Sequence, residues 1–265
     1  MNDSDKQHEI DDLSILYEIS NKIATITINR PDKRNALRMQ EFDQLINYIK
    51  KADNDSDVHV IHIRSSGDRA FSGGLDLNML QQMTPEEVPK LVQCGEGLTT
   101  AMLKAKKPVV NQVQGPAVAW GTILCLAADF NIAGENPKTF FSLPEIDINL
   151  FPATGALTMA LFKLGYHYAK NILMIPEKIF LDKAERIGLV TKKCPLDVLE
   201  QTTLEFCQNL VDKPQSILIS IKILLNNFNM RFLDSCLEVE RDALDLSLEG
   251  DLKKFDDFID KIWKK

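Results

Sequence analysis

No stretch of this 265-residue chain approaches the ~20 uninterrupted apolar residues that a membrane-spanning helix needs. Basic residues are in the minority. The 31 Lys and Arg stand against 38 Asp and Glu, a net charge of −7. That balance argues against a polyanion-binding face, and so against nucleic acid as a partner. Basic spots remain at Lys33-Arg34, at residues 104–107 and at Lys264-Lys265. The five cysteines (Cys94, Cys125, Cys194, Cys207 and Cys236) are scattered, odd in number and without a CxxC pair. Neither a disulfide framework nor a zinc site is expected, and free thiols in a reducing compartment follow. The four histidines (His8, His59, His62 and His167) form no ligand or triad spacing. Ser72 has no histidine near it in sequence, so a serine hydrolase has little support. Residues 1–12 are polar and acidic, without the apolar core of a signal peptide. They read as a disordered tail, and cytoplasm is the expected location.

What is present is a hydrophobic fraction of 45%, ample for one large domain. Residues 15–19 and 23–28 alternate as a hairpin. A loop covers 29–35, and a helix with Phe42, Leu45, Ile46 and Ile49 on one face covers 39–51. Residues 58–63 read as a strand. The run Phe71-Ser72-Gly73-Gly74-Leu75-Asp76 follows, with two glycines that let the backbone turn and approach a ligand closely. Leu75 is expected to open a helix with a free N–H. Residues 83–89 read as a loop, 92–103 as a helix, and 109–113 as a strand. After residue 150 the pattern is helical: 155–164, 168–173, 181–187 ended by Gly188, 197–211, 215–226, 233–248 and 251–263. The chain therefore divides softly into a β-rich part to residue 195 and a helical part over 196–265.

Residues 108–152 carry the chemistry. A strand breaks at Gln114-Gly115-Pro116, an apolar helix runs over 117–128, Asp129 follows, and 139–143 lead as a strand into Pro144-Glu145. Gly115 and Gly121 flank the helix start, where N–H groups lack intrahelical partners and can point at an oxygen. A carboxylate in apolar company near such a site suits proton transfer beside a carbonyl. The plain structural alternative is a buried helix, tight glycine turns and a surface glutamate starting an amphipathic strand. Asp147 would share the face of Glu145 by period two. Asp129 and Asp76 suit turn or helix caps.

Six segments in order resemble the enoyl-CoA hydratase/isomerase (crotonase) family: Asn29-Arg30-Pro31 with Asn35-Ala36-Leu37; Ala70-Phe71 through Asp76-Leu77; Val113-Gln114-Gly115-Pro116-Ala117-Val118; Ala128-Asp129; Leu143-Pro144-Glu145 with Phe151-Pro152; and Ala184-Glu185 with Gly188-Leu189-Val190. The resemblance covers residues 15 to the C-terminus. It implies an α/β fold, a crotonase-like spiral of ββα units with a helical C-terminal region that trimerises, as a homotrimer or hexamer. It implies an acyl-CoA thioester as substrate, with coenzyme A part of the substrate and no further cofactor or metal. Leu75 matches the first oxyanion-hole donor and Trp120 the second, or Gly121 if the alignment slips by one. Glu145 matches the family's second catalytic glutamate. Lys33, Arg34, Ala36, Ser72, Gly73 and Asp76 match the coenzyme A region. Phe255, Phe258 and Lys261 are candidates for the residues that family members lend to a neighbouring subunit.

Two departures matter. Ile123 stands where the family's hydratases carry a first glutamate, and the bulky Trp120 stands where glycine is usual. Hydration uses two carboxylates to hold and split water, whereas double-bond migration needs one base. The resemblance with Ile123 therefore implies an isomerase acting on 3-enoyl thioesters. The alternatives are a hydratase, thioester hydrolase or decarboxylase of the same family, or a catalytically silent scaffold.

Overall fold

The computed structural model describes residues 14–249. Among these, one sheet runs in the order β1-β2-β3-β4-β6-β9. It comprises β1 (Ile15–Ser20), β2 (Ile23–Ile28), β3 (Val60–Ser65), β4 (Val109–Val113), β6 (Phe130–Glu135) and β9 (Lys192–Pro195). The β1–β2 hairpin is antiparallel and turns at Asn21 and Lys22, both at positive φ. Every later pairing in this sheet is parallel. Parallel strands need crossovers, and here these carry α1 (Met39–Asn54), α2 (Leu77–Gln82), α3 (Val88–Lys104) and α4 (Trp120–Ala127). A smaller sheet orders β5 (Ala117–Val118), β7 (Phe140–Ser142) and β8 (Ile179–Phe180) as β5-β7-β8. The chain closes with α5 (Ala156–Met174), α6 (Leu181–Arg186), α7 (Leu199–Val211) and α8 (Gln215–Glu249).

Strands buried on both faces explain the continuous apolar runs. On one face β2, β3 and β4 join α1, α3, α4 and α5 in the main core, around Phe42, Phe71, Leu98 and Phe141. On the other face Val60, Val110 and Ile132 pack against Leu199, Cys207 and Leu210 of α7. The helical part is thus built onto the core. Leu233 and Leu237 of α8 enter the main cluster. Lys222 of α8 pairs with Asp129 at 2.6 Å and donates to Lys107 O at 2.7 Å.

All eight residues of α4 are buried, as expected of a helix apolar all round. Among its C-terminal carbonyls, Leu124 O accepts the Ala128 N–H at 3.1 Å. Two asparagines add donors there. Asn111 Nδ2 donates to Leu124 O and to Asn131 Oδ1, both at 3.0 Å. Asn131 Nδ2 donates to Cys125 O and to Leu189 O, both at 2.7 Å.

Several expected boundaries move, for tertiary reasons. Residues 117 and 118 form strand rather than helix, because they pair with Phe141 and Ser142. Leu75 does not open a helix. It bridges Leu37 in extended form, and α2 starts at Leu77 after the Asp76 cap. Glu145 sits in a single-turn helix, Glu145–Ile148, not on a strand. Period two therefore fails, and Asp147 is exposed. α3 starts at Val88 with proline in its first turn, where no amide hydrogen is needed. Ala156–Met174 form one helix, where two were expected, interrupted at Gly165 (φ 73°, ψ 165°). Residues 215–249 form one helix, where two were expected. The short strands β8 and β9 were not expected. The segments 1–12 and 251–263 lie outside the described residues.

Removing the Asn131 amide leaves Cys125 O and Leu189 O buried without these donors, at about 1–3 kcal/mol each. Asn131→Ala is expected to lower unfolding free energy by about 2–4 kcal/mol, read by urea denaturation.

Candidate active site

The site starts where the segment after Phe71 crosses the start of α4. Ser72 bridges Ala117, and Val118 N–H donates to Ser72 O at 3.0 Å. Two glycines permit the crossing. A Cβ on Gly121 would lie 2.3 Å from Ser72 O. Gly74 has φ +91°, and a Cβ there would lie 2.8 Å from Ala119 Cβ, 2.9 Å from Val118 O and 3.4 Å from Trp120 N. The peptide that leads to Leu75 therefore lies beside the N–H of Trp120.

Both N–H groups are available. Leu37 N–H donates to Gly74 O and Asp76 N–H donates to Leu37 O, so in this extended bridge the Leu75 N–H faces away from Leu37. It donates to no group among the described residues. Trp120 is the first residue of α4, where an N–H has no carbonyl four residues back within the helix. Ala119 before it holds φ 50° and ψ −118°, a region that L-residues rarely occupy. That strained turn aims the 119–120 peptide. Gly121 serves the crossing as a point of close backbone approach.

The chain leads from this crossing to Glu145. β5 pairs with β7, Ala119 N–H donates to Ser142 O at 2.9 Å, and three residues on from Ser142 stands Glu145. The residue is 8% exposed, and its Oε2 has no hydrogen-bond partner among the described residues. Burial pushes its pKa up to about 7, with only its own backbone N–H opposing. An acceptor oxygen left unpartnered in an apolar site is equipped to take a proton at neutral pH. No second carboxylate accompanies it from the expected places: Ile123 is 2% exposed in the core, and Asp147 faces solvent.

A cleft of about 930 Å³ leads to the crossing, with Leu75, Pro116 and Val118 in its wall. It brings together Lys33, Arg34, Ala36, Gly73 and Asp76 of the expected coenzyme A residues. Lys33 and Arg34 are exposed at the rim. Asp76 is committed to structure. Its Oδ1 caps Asn78 N–H and Met79 N–H, and its Oδ2 pairs with Arg30 at 2.9 Å. Burial pushes its pKa up, but Arg30 and the capped N–H groups outweigh that and hold it low. Ser72 is fully buried, so it does not line the cleft. Its hydroxyl donates to Asn35 O at 2.9 Å and accepts Gly74 N–H at 3.2 Å. The Trp120 side chain is core as well. It meets Phe42 edge-on at 4.7 Å, and its ring occupies the place of a Gly95 Cβ. Phe255, Phe258 and Lys261 lie outside the described residues.

Sequence reasoning missed Arg69, Lys138 and Lys178, which add positive charge to the cleft, and the Phe140–Phe180 pair beside them. Phe140 and Phe180 come from strands that pair only in the fold. It also missed Glu240, 2% exposed, whose Oε2 accepts Gly155 N–H at 2.6 Å and so caps α5. Burial raises that carboxyl to about 7 too. No cluster of metal-ligating side chains occurs among the described residues, and no described helix is long and apolar enough to cross a membrane.

Comparison with known proteins bears on the family and the fold. Residues 18–254 match the family model described as enoyl-CoA hydratase/isomerase. A crotonyl-CoA hydratase from Syntrophomonas wolfei is 28% identical over 233 residues, 88% of this chain and 89% of that protein. A trans-2-decenoyl-[acyl-carrier-protein] isomerase from Streptococcus mutans is 31% identical over 193 residues, 71% of this chain and 72% of that protein. The crystal structure of an enoyl-CoA hydratase from Mycobacterium avium subsp. paratuberculosis K-10 superposes with a TM-score of 0.79 at 28% identity, covering 89% of this chain and 90% of that one.

The raised pKa of Glu145 sets a pH dependence. A carboxyl whose pKa rises on folding binds its proton more tightly when folded, so its ionisation opposes folding. Its contribution is complete below about pH 4.5 and is lost as pH climbs through about 7. Glu145→Gln removes this loss and leaves that of Glu240 in place. The stability of E145Q relative to wild type is therefore expected to grow between pH 4.5 and 8, by no more than about 3 kcal/mol. Urea unfolding at each pH measures it, and a flat difference would show that Glu145 is not desolvated.

Proposed function

This chain belongs to the enoyl-CoA hydratase/isomerase family, and from that premise we propose that it is an acyl-CoA isomerase moving a double bond from the 3- to the 2-position. The observation that carries the reading is one buried carboxylate with an unpartnered oxygen, and an isoleucine where the family's hydratases would carry a second. Glu145 takes a proton from C2 of a 3-enoyl thioester. The electron pair moves onto the thioester oxygen, giving a dienolate held by the N–H groups of Leu75 and Trp120. The same proton, or one exchanged with water, returns at C4, and the double bond is left between C2 and C3. Atoms and electrons balance without a cofactor beyond the coenzyme A of the substrate. Each oxyanion donor is worth about 2.7–4 kcal/mol at the transition state. Lys33 and Arg34, with Lys138 and Lys178, supply positive charge for the phosphates in the cleft that Ala36 and Gly73 help to line.

A second reading, a 2-enoyl-CoA hydratase, is favoured by the names of relatives, which are hydratases more often than isomerases. Against it stands the missing second acid. We further propose assembly into a homotrimer or hexamer, supported by the exposed Ile217, Ile221, Leu224, Leu225, Phe228 and Phe232 on α8. Light scattering is expected to give three or six chain masses, and a monomer at micromolar concentration would end that proposal.

The reaction itself is tested by mass spectrometry of products formed in heavy water. A 3-enoyl-CoA is expected to give its 2-enoyl isomer with deuterium exchange and no added water, while a 2-enoyl-CoA gains no water. Glu145→Gln is expected to slow turnover by about 10²–10⁴-fold while coenzyme A thioesters still bind. Efficient addition of water to the 2-enoyl substrate would replace the isomerase by the hydratase. Full activity in E145Q would remove both.

A further inference from the structure

The pair β5–β7 is only two residues long on β5, yet it joins the strained turn at Ala119 to the segment bearing Glu145. A ladder so short does not fix its own spacing. The Thr122 side chain, fully buried on α4, spans the junction. Its Oγ1 lies 2.7 Å from Ala117 O and 2.9 Å from Ser142 O, and accepts the Ser142 N–H at 3.0 Å. A hydroxyl has one proton, so it donates to these two carbonyls in turn or shares between them. The Thr122 backbone N–H meanwhile donates to Ala119 O at 2.8 Å, and Ala119 N–H donates to Ser142 O at 2.9 Å. One residue thus grips both sides of the strained peptide and both backbone groups of Ser142.

We propose that Thr122 is a positioning residue, whose hydroxyl sets the spacing between the Trp120 N–H and the Glu145 carboxylate. This rests on the reading that both groups act on one thioester. Thr122 itself touches no substrate. The alternative is that the hydroxyl merely satisfies buried backbone, in which case its loss lowers stability and leaves per-molecule chemistry alone.

Thr122→Val keeps the shape and removes the hydroxyl, and Thr122→Ser keeps the hydroxyl. Since misplacement of reacting groups by about 1 Å costs on the order of 100-fold, T122V is expected to lose about 10- to 100-fold in kcat with KM changed less than about twofold. T122S is expected to stay within about threefold of wild type. A second readout is the ¹³C shift of bound butyryl-CoA labelled at the thioester carbonyl. Wild type is expected to move it downfield of free ligand, and T122V to move it back with the dissociation constant retained. Should T122V not accumulate as folded protein, Thr122→Cys, a weaker donor in the same place, carries the comparison.

Folded T122V with unchanged kcat and carbonyl shift would overturn the positioning role. Equal losses in T122V and T122S would overturn it too, by assigning the effect to shape. No carbonyl shift in wild type would be a different failure: the oxyanion reading would fall first, and this proposal with it.

Discussion

Two backbone segments share a space too small for a side-chain carbon. The loop after Phe71 rests on the first turn of α4 so closely that Gly121 meets Ser72 O, and Gly74 meets Ala119 and Val118. This contact brings Gly74, the residue before Leu75, against the Trp120 N–H. It forces one partner into a positive-φ glycine and the other into a helix start preceded by Ala119 at φ 50°. Such contacts hold only when both segments are anchored elsewhere. The loop is anchored by Asn35, which donates to Ser66 O and Ala70 O, and by Asp76 pairing with Arg30. α4 is anchored at its far end by Asn111 and Asn131. The surrounding polar network is therefore the condition for the crossing.

The cost of the site is concentrated in a few residues. Ala119 carries backbone strain, of order 1–3 kcal/mol for such a conformation. Glu145 carries desolvation, visible as a pKa pushed up to about 7. Neither would persist on a loosely packed loop. Both sit where β5, β7 and α4 meet, and every residue of α4 is buried. Glu240 shows that burial alone does not make a base. Its carboxyl is raised as far and its Oε1 is unpartnered too, but its Oε2 is tied to Gly155 N–H at the start of α5. What marks Glu145 is its place in the chain, three residues beyond Ser142, whose carbonyl accepts the Ala119 N–H of the strained turn.

The legible parts were those that depend on near neighbours in sequence. The hairpin at Ile15–Ile28 follows from alternation, and the buried α4 from an unbroken apolar run. The desolvation of Glu145 was expected from the apolar neighbours Phe140, Phe141, Leu143, Ile146 and Ile148; Phe141 and Leu143 are buried, whereas Ile146 and Ile148 are exposed. The illegible parts were set by distant partners. Residues 117 and 118 became strand because residues 141 and 142 lie beside them. Ser72, matched to the coenzyme A region, turns inward because Asn35 O supplies an acceptor, and the Trp120 ring fills the space beside Gly95. Asp147 lost its expected face once Glu145–Ile148 formed a turn of helix, since period two holds only on a strand. Thr122 gave no signal, because its hydroxyl reaches Ser142, twenty residues away.

The missing second carboxylate changes the electrostatics as well as the chemistry. Two carboxylates close together in a dry site titrate as a pair, one held ionised and the other driven up by like charge. Burial is the dominant cause of the Glu145 shift, and no neighbouring carboxylate contributes to it. A pKa of about 7 then belongs to one group, which can hold a proton or release it near neutrality with little change in free energy. That is the property required of a shuttle that lifts a proton from one carbon and sets it down on another. A water-splitting pair needs the reverse, two groups in opposite states at once. A single carboxylate that titrates alone thus suits proton transfer between carbons better than the splitting of water.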